Sequence, residues 1–306
     1  MVRQLAAQVV DDRSHDAGNY TPRFAELLEQ SLASPTERIA VRLDHWSGEN
    51  HHLGRADAAV RLLDELAELE LPAGRRIMLW GHGQAGNVLA LVMGLLSADA
   101  SAIDRFFGAA RIYYRLPAAG VIDIPVWRRV QKRLTGHRSR LDRPLDVVTF
   151  GTPLRYVWKH RPTDRLLHFI NHRPAMGTAS HLARLPERIE ELLEASGGDY
   201  VQQLAVSGTD AAPSRFAWRG WLADRRLSDL LEVRDEHASI ADRLACGVRL
   251  PETGTTLLVD YGSPEGPVSE HLAGHAVYTR PEWLWFHAEQ ITQRLSSQAP
   301  SSARAA

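Results

Sequence analysis

RRIMLWGHGQAGNVLALVMGLL, residues 75–96 and here termed the deciding stretch, has the strongest structural pattern in this sequence. Ile77–Trp80 form a short apolar run, the pattern of a strand that is buried on both faces. Residues 81–86 follow as a glycine-rich segment, and Asn87–Leu96 is apolar nearly all round, as in a buried helix. The stretch therefore predicts a strand, a sharp turn and a buried helix.

Length and composition exclude several classes of protein. The chain has 306 residues and a net charge of −1, so nothing in its charge indicates a nucleic-acid partner. Its one cysteine, Cys246, cannot form an internal disulfide, which suits a reducing compartment. The first residues lack the apolar core of a signal peptide, and no segment has the roughly 18 apolar residues of a transmembrane helix. We expect a soluble, cytoplasmic protein with no transmembrane segment.

Hydrophobic periodicity outside the deciding stretch predicts alternating strands and helices. Apolar runs or alternation predict further strands at Arg38–Trp46, Asp146–Phe150, Arg165–Ile170, Tyr200–Ser207 and Thr255–Val259. Apolar residues at helical spacing predict helices at Thr21–Leu32, Ala56–Leu69, Ala102–Arg115, Val126–Leu134, Leu185–Ala195 and Trp283–Leu295.

This alternation predicts an α/β fold with a mostly parallel central sheet and helices on both faces. We expect one domain over residues 1–295. The segments at about 100–145 and 211–254 are possible cap or insertion segments. Residues 296–306 are small and polar, and we expect them to be a disordered tail.

The deciding stretch resembles the nucleophile elbow of α/β-hydrolases of the serine esterase and lipase kind. That elbow reads G-x-S-x-G between a strand and a helix, and the corresponding residues here are Gly81-His82-Gly83-Gln84-Ala85. The resemblance extends from about Arg38 to Leu295 and includes Gly151-Thr152-Pro153, Gly208-Thr209-Asp210 and Gly274-His275-Ala276 in the same order. Gly83 stands where the family has its nucleophilic serine, and glycine has no side chain that could attack a substrate.

The resemblance implies a base and an acid that follow the elbow in the chain. His275 matches the base, in a loop after the last predicted strand, and His271 is the near alternative. For the acid, Asp210 follows a predicted strand in a G-x-D turn, and Asp260 ends the final strand. We rank Asp210 ahead, because the acid in this family normally follows the strand before the last one. The aspartate that is not the acid is expected to cap a turn.

The resemblance also implies an oxyanion hole, a set of N–H donors that stabilises developing negative charge. One donor is expected to be the backbone N–H of Gln84, at a helix N-terminus. The second normally comes from a His-Gly loop after an early strand, and no His-Gly pair precedes Arg38. Residues 14–18 could supply that donor in another way. His82 is expected to pack and hydrogen-bond below the site rather than to react.

Two other sequence patterns bear on the binding of metals and of anionic partners. Adjacent His51 and His52 point apart and have no acidic partner at ligand spacing, so we expect no metal site and no cofactor. Residues 128–143 are rich in arginine and lysine; we favour a solvated helix and loop over a patch for an anionic substrate or a membrane surface.

These residues lead to a functional expectation. The expected activity is hydrolysis of carboxylic esters by acyl-enzyme chemistry. The expected ligand is a small-molecule ester or acyl compound. Because Gly83 removes the nucleophile, the chain as written is expected to be inactive or strongly impaired. The alternative is a non-catalytic ligand-binding or regulatory pseudoenzyme.

Overall fold

A parallel four-stranded sheet forms the centre of the molecule. The computed structural model describes residues 18–33, 39–72, 74–116, 122–136, 141–174, 177, 186–205, 213, 217–231 and 250–297. The strands are β1 (Ile77–His82), β2 (Arg115–Leu116), β3 (Ile122–Asp123), β4 (Leu145–Phe150), β5 (Arg165–Asn171) and β6 (Thr255–Val259). The sheet has the order β1-β4-β5-β6 with every pair parallel, and β2 pairs with β3 in a separate antiparallel ribbon.

Helices connect the strands and cover the sheet. They are α1 (Pro22–Leu32), α2 (His52–Glu68), α3 (Gln84–Ser97), α4 (Ala100–Tyr114), α5 (Pro125–Thr135), α6 (Ile189–Leu193), α7 (Tyr200–Ala205), α8 (Trp218–Leu231), α9 (Val268–His271) and α10 (Leu284–Ser297). Short 3₁₀ turns at Leu272–Gly274, Ala276–Thr279 and Pro281–Trp283 join α9 to α10. The architecture is thus mixed α/β, as predicted.

Side chains of the sheet alternate between two hydrophobic cores because successive residues of a strand point to opposite faces. On one face, Leu79, Val147 and Leu166 pack in the same cluster as residues of α2 and α3. On the other face, Phe150 and Phe169 pack in a cluster with the last helix, α10. The cluster of α2 and α3 continues into α4, α5 and α8, so the segment at 100–145 shares the main core of the molecule.

The position of β1 corrects one expectation. It was predicted to be buried on both faces, but only Leu79 and Gly81 of this strand are buried, and Met78 is 37% exposed. Among the described strands, β1 lies at the edge of the sheet and pairs with β4 alone. Strands β4 and β5 occupy the middle of the sheet, and their residues are buried almost without exception.

The strand predicted at Arg38–Trp46 is wrong. Residues 39–50 have no regular secondary structure, and Arg38 lies outside the described residues. The backbone N–H of Val41 donates to the carboxylate of Glu29 in α1 at 2.6 Å, where a ladder hydrogen bond would be needed for a strand. Alternation of apolar residues without a partner strand does not form a sheet.

The strand predicted at Tyr200–Ser207 is also wrong, because Tyr200–Ala205 is the helix α7. The backbone N–H of Gln202 donates to Asp199 Oδ1 at 2.8 Å, so an aspartate caps the first turn of this helix. The helix predicted at Leu185–Ala195 is confirmed only over Ile189–Leu193. The remaining predicted strands and helices are confirmed, with their ends shifted by a few residues.

The basic segment after residue 125 forms α5, whose arginines pair with acidic side chains. Arg129 Nε and Arg133 Nη1 each donate to Asp64 Oδ1 of α2 at 2.8 Å, and Arg128 pairs with Asp123 at 2.6 Å. The two contacts with Asp64 tie α5 to α2, and the three ion pairs neutralise much of the charge of α5. The helix expected in this basic segment is thus present, and residues 137–140 of the segment lie outside the described residues.

The described helices lack the length and apolar character of a membrane-spanning helix. Within those parts of the chain, every helix is too short or too polar to cross a membrane. Most of the tail expected at 296–306 lies outside the described residues.

Candidate functional site

A sharp turn at Gly83 joins β1 to α3 at the carboxyl end of the sheet. Gly83 has φ +55° and ψ −126°, a backbone conformation that residues with a side chain rarely adopt. Its N–H donates to the carbonyl of Phe150, the last residue of β4, at 2.9 Å. The turn is therefore fixed to the neighbouring strand.

Close packing on both sides of the turn requires glycines. A Cβ at Gly81 would lie 2.9 Å from the Leu89 side chain, and one at Gly86 would lie 1.8 Å from Thr152 Oγ1. The residue that allows α3 to pack so closely is thus Gly86, next to Ala85 of the expected frame. The strand, turn and helix predicted from residues 75–96 are confirmed.

His275 faces the position where residue 83 would carry a side chain. A Cβ built on Gly83 would lie 2.9 Å from His275 Nε2 and 3.4 Å from its Cε1. The imidazole is mostly buried, with 12% of the side chain exposed. A histidine nitrogen at this place is where a general base would accept a proton from a hydroxyl on residue 83.

Asp199 holds the other side of the His275 ring. Its Oδ2 lies 2.7 Å from His275 Nδ1, and its side chain is fully buried. A carboxylate at Nδ1 accepts the Nδ1–H and leaves Nε2 unprotonated, which is the tautomer that a base or nucleophile needs. His275 and Asp199 are therefore a buried, hydrogen-bonded imidazole–carboxylate pair next to the turn at Gly83.

Asp199 was not among the acids expected from the sequence. Asp260 follows β6, pairs with Arg173 at 3.2 Å, and accepts the backbone N–H of Gly262 at 2.9 Å. The structure brings it to an exposed turn, with Arg173 rather than His275 as its ion-pair partner. Asp210 lies outside the described residues.

A signal for Asp199 was present in the sequence. It follows Gly197-Gly198 and precedes a segment with apolar residues at 200, 201, 204 and 205, which is helical spacing. An aspartate directly before a helix is a typical N-cap. The interpretation of residues 200–207 as a strand concealed this pattern.

Tyr278 and Asn171 support the buried carboxylate. Tyr278 donates its hydroxyl to Asp199 Oδ2 at 3.0 Å and accepts the backbone N–H of Asn171 at 2.6 Å. The backbone N–H of Asp199 donates in turn to the carbonyl of Asn171 at 2.9 Å. A buried carboxylate with several donors is held in one geometry.

His82 lies beneath the site, in contact with His275. Its Nδ1 is 2.8 Å from the carbonyl of Gly18, its Nε2 is 3.0 Å from the carbonyl of His275, and the two rings have centroids 4.2 Å apart. Burial, with the nearby His275 as a smaller cause, lowers the pKa of His82 to about 3. The neutral ring then donates to one of the two carbonyls, which suits the packing role expected for it.

Gln84 is the first residue of α3, as the expected oxyanion donor requires. Its backbone N–H belongs to the first turn of a helix, where N–H groups have no partner in the helix itself. Its side-chain oxygen accepts from the fully buried Arg55 at 3.2 Å and from Asn87 at 2.9 Å. The Gln84 side chain is thereby fixed at the start of α3.

The expected second oxyanion donor falls in the N-terminal segment. Gly18 is the first described residue, and its carbonyl approaches His82. The other residues expected to form that loop, 14–17, lie outside the described part of the chain.

The turn that carries His275 is strained. Leu272, Ala273 and Gly274 have φ values of +48°, +51° and +86°, and left-handed backbone is unfavourable for the first two. A Cβ at Gly274 would lie 2.3 Å from the carbonyl oxygen of Gly198. The surrounding packing therefore holds the turn before His275 in a backbone conformation that is unfavourable for Leu272 and Ala273.

His271, the near alternative base, lies elsewhere. It is 3% exposed and, with Tyr261 and Arg280, lines a cavity of about 250 Å³ whose lining includes neither Gly83 nor His275. Burial and the charge of Arg280 lower its pKa. Its position does not connect it to the turn at Gly83.

No group of side chains with the character of a metal site occurs in the residues that the structure describes. His51 caps its own helix, accepting the backbone N–H of Gly54 at 2.8 Å, and His52 bonds to the hydroxyl of Tyr156 at 2.9 Å.

Comparison with protein families, with characterised proteins and with solved structures gave no match for this chain.

Proposed function

We propose that this chain has an α/β-hydrolase scaffold of the serine esterase and lipase type whose nucleophile position is occupied by Gly83. The observation that carries the proposal is the alignment of three residues: position 83 faces His275 Nε2, and His275 Nδ1 is bonded to the buried Asp199. The nucleophile position (Gly83), the acid (Asp199) and the base (His275) follow along the chain in the order of that superfamily. The site belongs to carboxylic ester hydrolysis, and the acyl-serine route is closed in this chain.

The glycine has a physical advantage at this turn. A non-glycine residue with strained backbone angles costs on the order of 1–3 kcal/mol. Gly83 adopts the turn at little cost and lets the His275 ring approach the backbone closely. The protein therefore keeps the fold of the site while lacking its nucleophile.

The test is the Gly83→Ser variant. We expect it to become labelled by a fluorophosphonate and to hydrolyse p-nitrophenyl butyrate at least about 10²-fold faster than the unaltered chain, because a positioned hydroxyl restores nucleophilic catalysis. His275 must withdraw by a few tenths of an ångström to admit the new Cβ, since real Cβ atoms do not approach other atoms within 3.0 Å.

Two controls make this test specific. Gly83→Ala adds the same Cβ without the hydroxyl and should show neither labelling nor acyl-serine turnover. Gly83→Ser combined with His275→Ala should lose most of the restored rate. A folded Gly83→Ser protein that shows neither labelling nor hydrolysis contradicts the proposal, with folding checked by circular dichroism.

The closeness of His275 to position 83 also favours a second candidate, a ligand-binding pseudoenzyme. A ring this close to the backbone occupies space that a serine side chain would need. This candidate predicts a rise in melting temperature when the unaltered chain is mixed with fatty acids or their ethyl esters. The absence of any shift across chain lengths from acetate to palmitate counts against it.

A further inference from the structure

We propose that His275 Nε2 is itself a nucleophile in this chain and accepts acyl groups from activated esters such as aryl esters. The inference rests on the proposed function, because it assumes that the site accepts acyl compounds. It goes further by assigning a reaction to the chain as written, in which a serine is absent.

The first support is the position of His275 Nε2 beside the missing side chain, in a ring whose side chain is 12% exposed. Nothing projects from Gly83, and Nε2 is the His275 atom nearest to the place of that side chain, at 2.9 Å from a built Cβ. In a serine hydrolase this nitrogen faces the hydroxyl that it deprotonates. Without that hydroxyl, the acyl carbon of a substrate can meet the nitrogen directly.

The second support is the bond at the opposite ring nitrogen. Asp199 Oδ2 lies 2.7 Å from Nδ1, so the Nδ1–H is donated to a fully buried carboxylate and the lone pair is on Nε2. The same carboxylate stabilises the positive charge that the ring gains when Nε2 forms a bond. Tyr278 donates its hydroxyl to the same carboxylate oxygen at 3.0 Å and helps to hold it in place.

The third support is the helix that begins at Gln84. Its N-terminal N–H groups provide donors and a partial positive charge beside the same turn. An oxyanion formed on the acyl carbon is stabilised there as it would be after attack by a serine. The groups that assist attack therefore remain, although the usual attacking atom is absent.

The reaction has two balanced steps. The Nε2 lone pair forms a bond to the acyl carbon, the bond from that carbon to the aryl oxygen breaks, and the phenolate leaves with the electron pair. Water then attacks the acyl-imidazolium and the bond from Nε2 to carbon breaks. One proton of the water stays on the carboxylic acid that is released, the other passes to solvent or to the phenolate, and the neutral ring is restored. Imidazole is itself a good leaving group, so alkyl esters, whose alkoxide leaves poorly, return to starting material.

The experiment compares two reagents. Diethyl pyrocarbonate forms a stable ethoxycarbonyl adduct with imidazole nitrogens, and peptide mass spectrometry places the adduct on a particular histidine. Hydrolysis of p-nitrophenyl acetate, followed as released nitrophenolate, measures turnover. We expect ethoxycarbonylation of His275 in the unaltered chain and a part of the nitrophenolate release that disappears in His275→Gln.

The discriminating variant is Gly83→Ala. Its Cβ blocks the approach to Nε2, so labelling of His275 and His275-dependent turnover should both fall by about tenfold or more, equivalent to about 1.4 kcal/mol of barrier. Asp199→Asn should slow both reactions by roughly 10²-fold or more, the size of effect that a positioned acid–base group has. Substitution of the exposed His160 by Gln is the matched control and should change neither.

Three results would overturn the inference. The first is a His275 that is not ethoxycarbonylated in the unaltered chain, and the second is ethoxycarbonylation of His275 that persists in Gly83→Ala. The third is His275-dependent turnover with a large solvent isotope effect and no acyl adduct, which would show that His275 acts as a base on water. If Gly83→Ser is labelled by the fluorophosphonate while His275 is unreactive in the unaltered chain, this inference fails and the proposed function stands. If both fail, the site is not an acyl-transfer site.

Discussion

Tyr278 is the residue whose loss would most directly disturb the buried acid. Its hydroxyl is the hydrogen-bond donor to Asp199 Oδ2 and the acceptor for the N–H of Asn171, and its side chain is fully buried. One hydroxyl thus connects the acid to the end of β5. The position of His275 depends, through Asp199, on this contact.

Tyr278→Phe should destabilise the protein by about 1–3 kcal/mol, because it leaves the buried N–H of Asn171 without that acceptor and removes a donor from the carboxylate. Urea unfolding measures the change in the free energy of unfolding. Tyr114→Phe is the comparison, since the Tyr114 hydroxyl donates to a single partly buried side chain, Gln131, at 3.1 Å. Equal losses in the two variants would contradict the role assigned to Tyr278.

At the scale of elements, the approach of α3 to the segment after β4 defines the turn. Gly86 in the first turn of α3 contacts Thr152, which follows β4, so closely that a Cβ on Gly86 would overlap the threonine side chain. A change there should move the helix and with it the backbone N–H of Gln84. The geometry of the site is therefore set partly by the packing of two elements outside it.

Gly86→Ala should cost about 1–3 kcal/mol, the usual cost of an overpacked core. Thr152→Ala removes the two nearest atoms, Oγ1 and Cγ2, and should recover part of the loss when both changes are combined. Thermal or urea unfolding of the two single variants and the double variant measures this coupling. Strictly additive effects would show that the two residues do not contact each other.

The predictive reach of the sequence also differs between elements. Residues 75–96 predicted a strand, turn and helix correctly, because a continuous apolar run, glycines and a second apolar run indicate the same local structure. Residues 38–46 were misassigned, since alternation predicts a strand only where a partner strand exists. Here the N–H of Val41 binds Glu29 instead.

The site was predictable in part for a related reason. The turn at Gly83 follows from a local pattern and the choice of His275 from the resemblance to α/β-hydrolases, and the structure brings these two residues together. The pairing of His275 with Asp199 joins residues 76 positions apart through the fold. Sequence order favoured Asp210 and Asp260, but proximity in the chain does not determine which carboxylate reaches a given ring.

At the scale of the whole molecule, several histidines are buried in neutral form. Burial lowers the pKa of His82 and His287 to about 3 and that of His168 to about 4. In an unfolded chain the pKa of histidine is about 6.5. Below that pH the unfolded chain binds more protons than the folded protein, so stability is full at higher pH and is lost as the pH falls from about 6.5 toward 4.

We therefore expect the melting temperature to fall between pH 7 and pH 5. His168→Gln should reduce the steepness of this fall, because it removes a side chain that is 2% exposed and unprotonated in the folded state. His160→Gln, at an exposed position, should leave the steepness unchanged. Differential scanning calorimetry across this pH range measures the effect, and identical slopes in the three proteins would contradict it.

The conformation at Gly83 also bears on how much sequence change the fold can accept. A side chain at these backbone angles would place a fixed cost on the native state, on the order of 1–3 kcal/mol. With glycine that cost is largely absent, and this difference is a substantial part of the roughly 5–15 kcal/mol by which a typical domain is stable. The folded chain can therefore tolerate one or two additional mildly destabilising substitutions. Substitutions of residues that surround His275 are among those it can accept without unfolding.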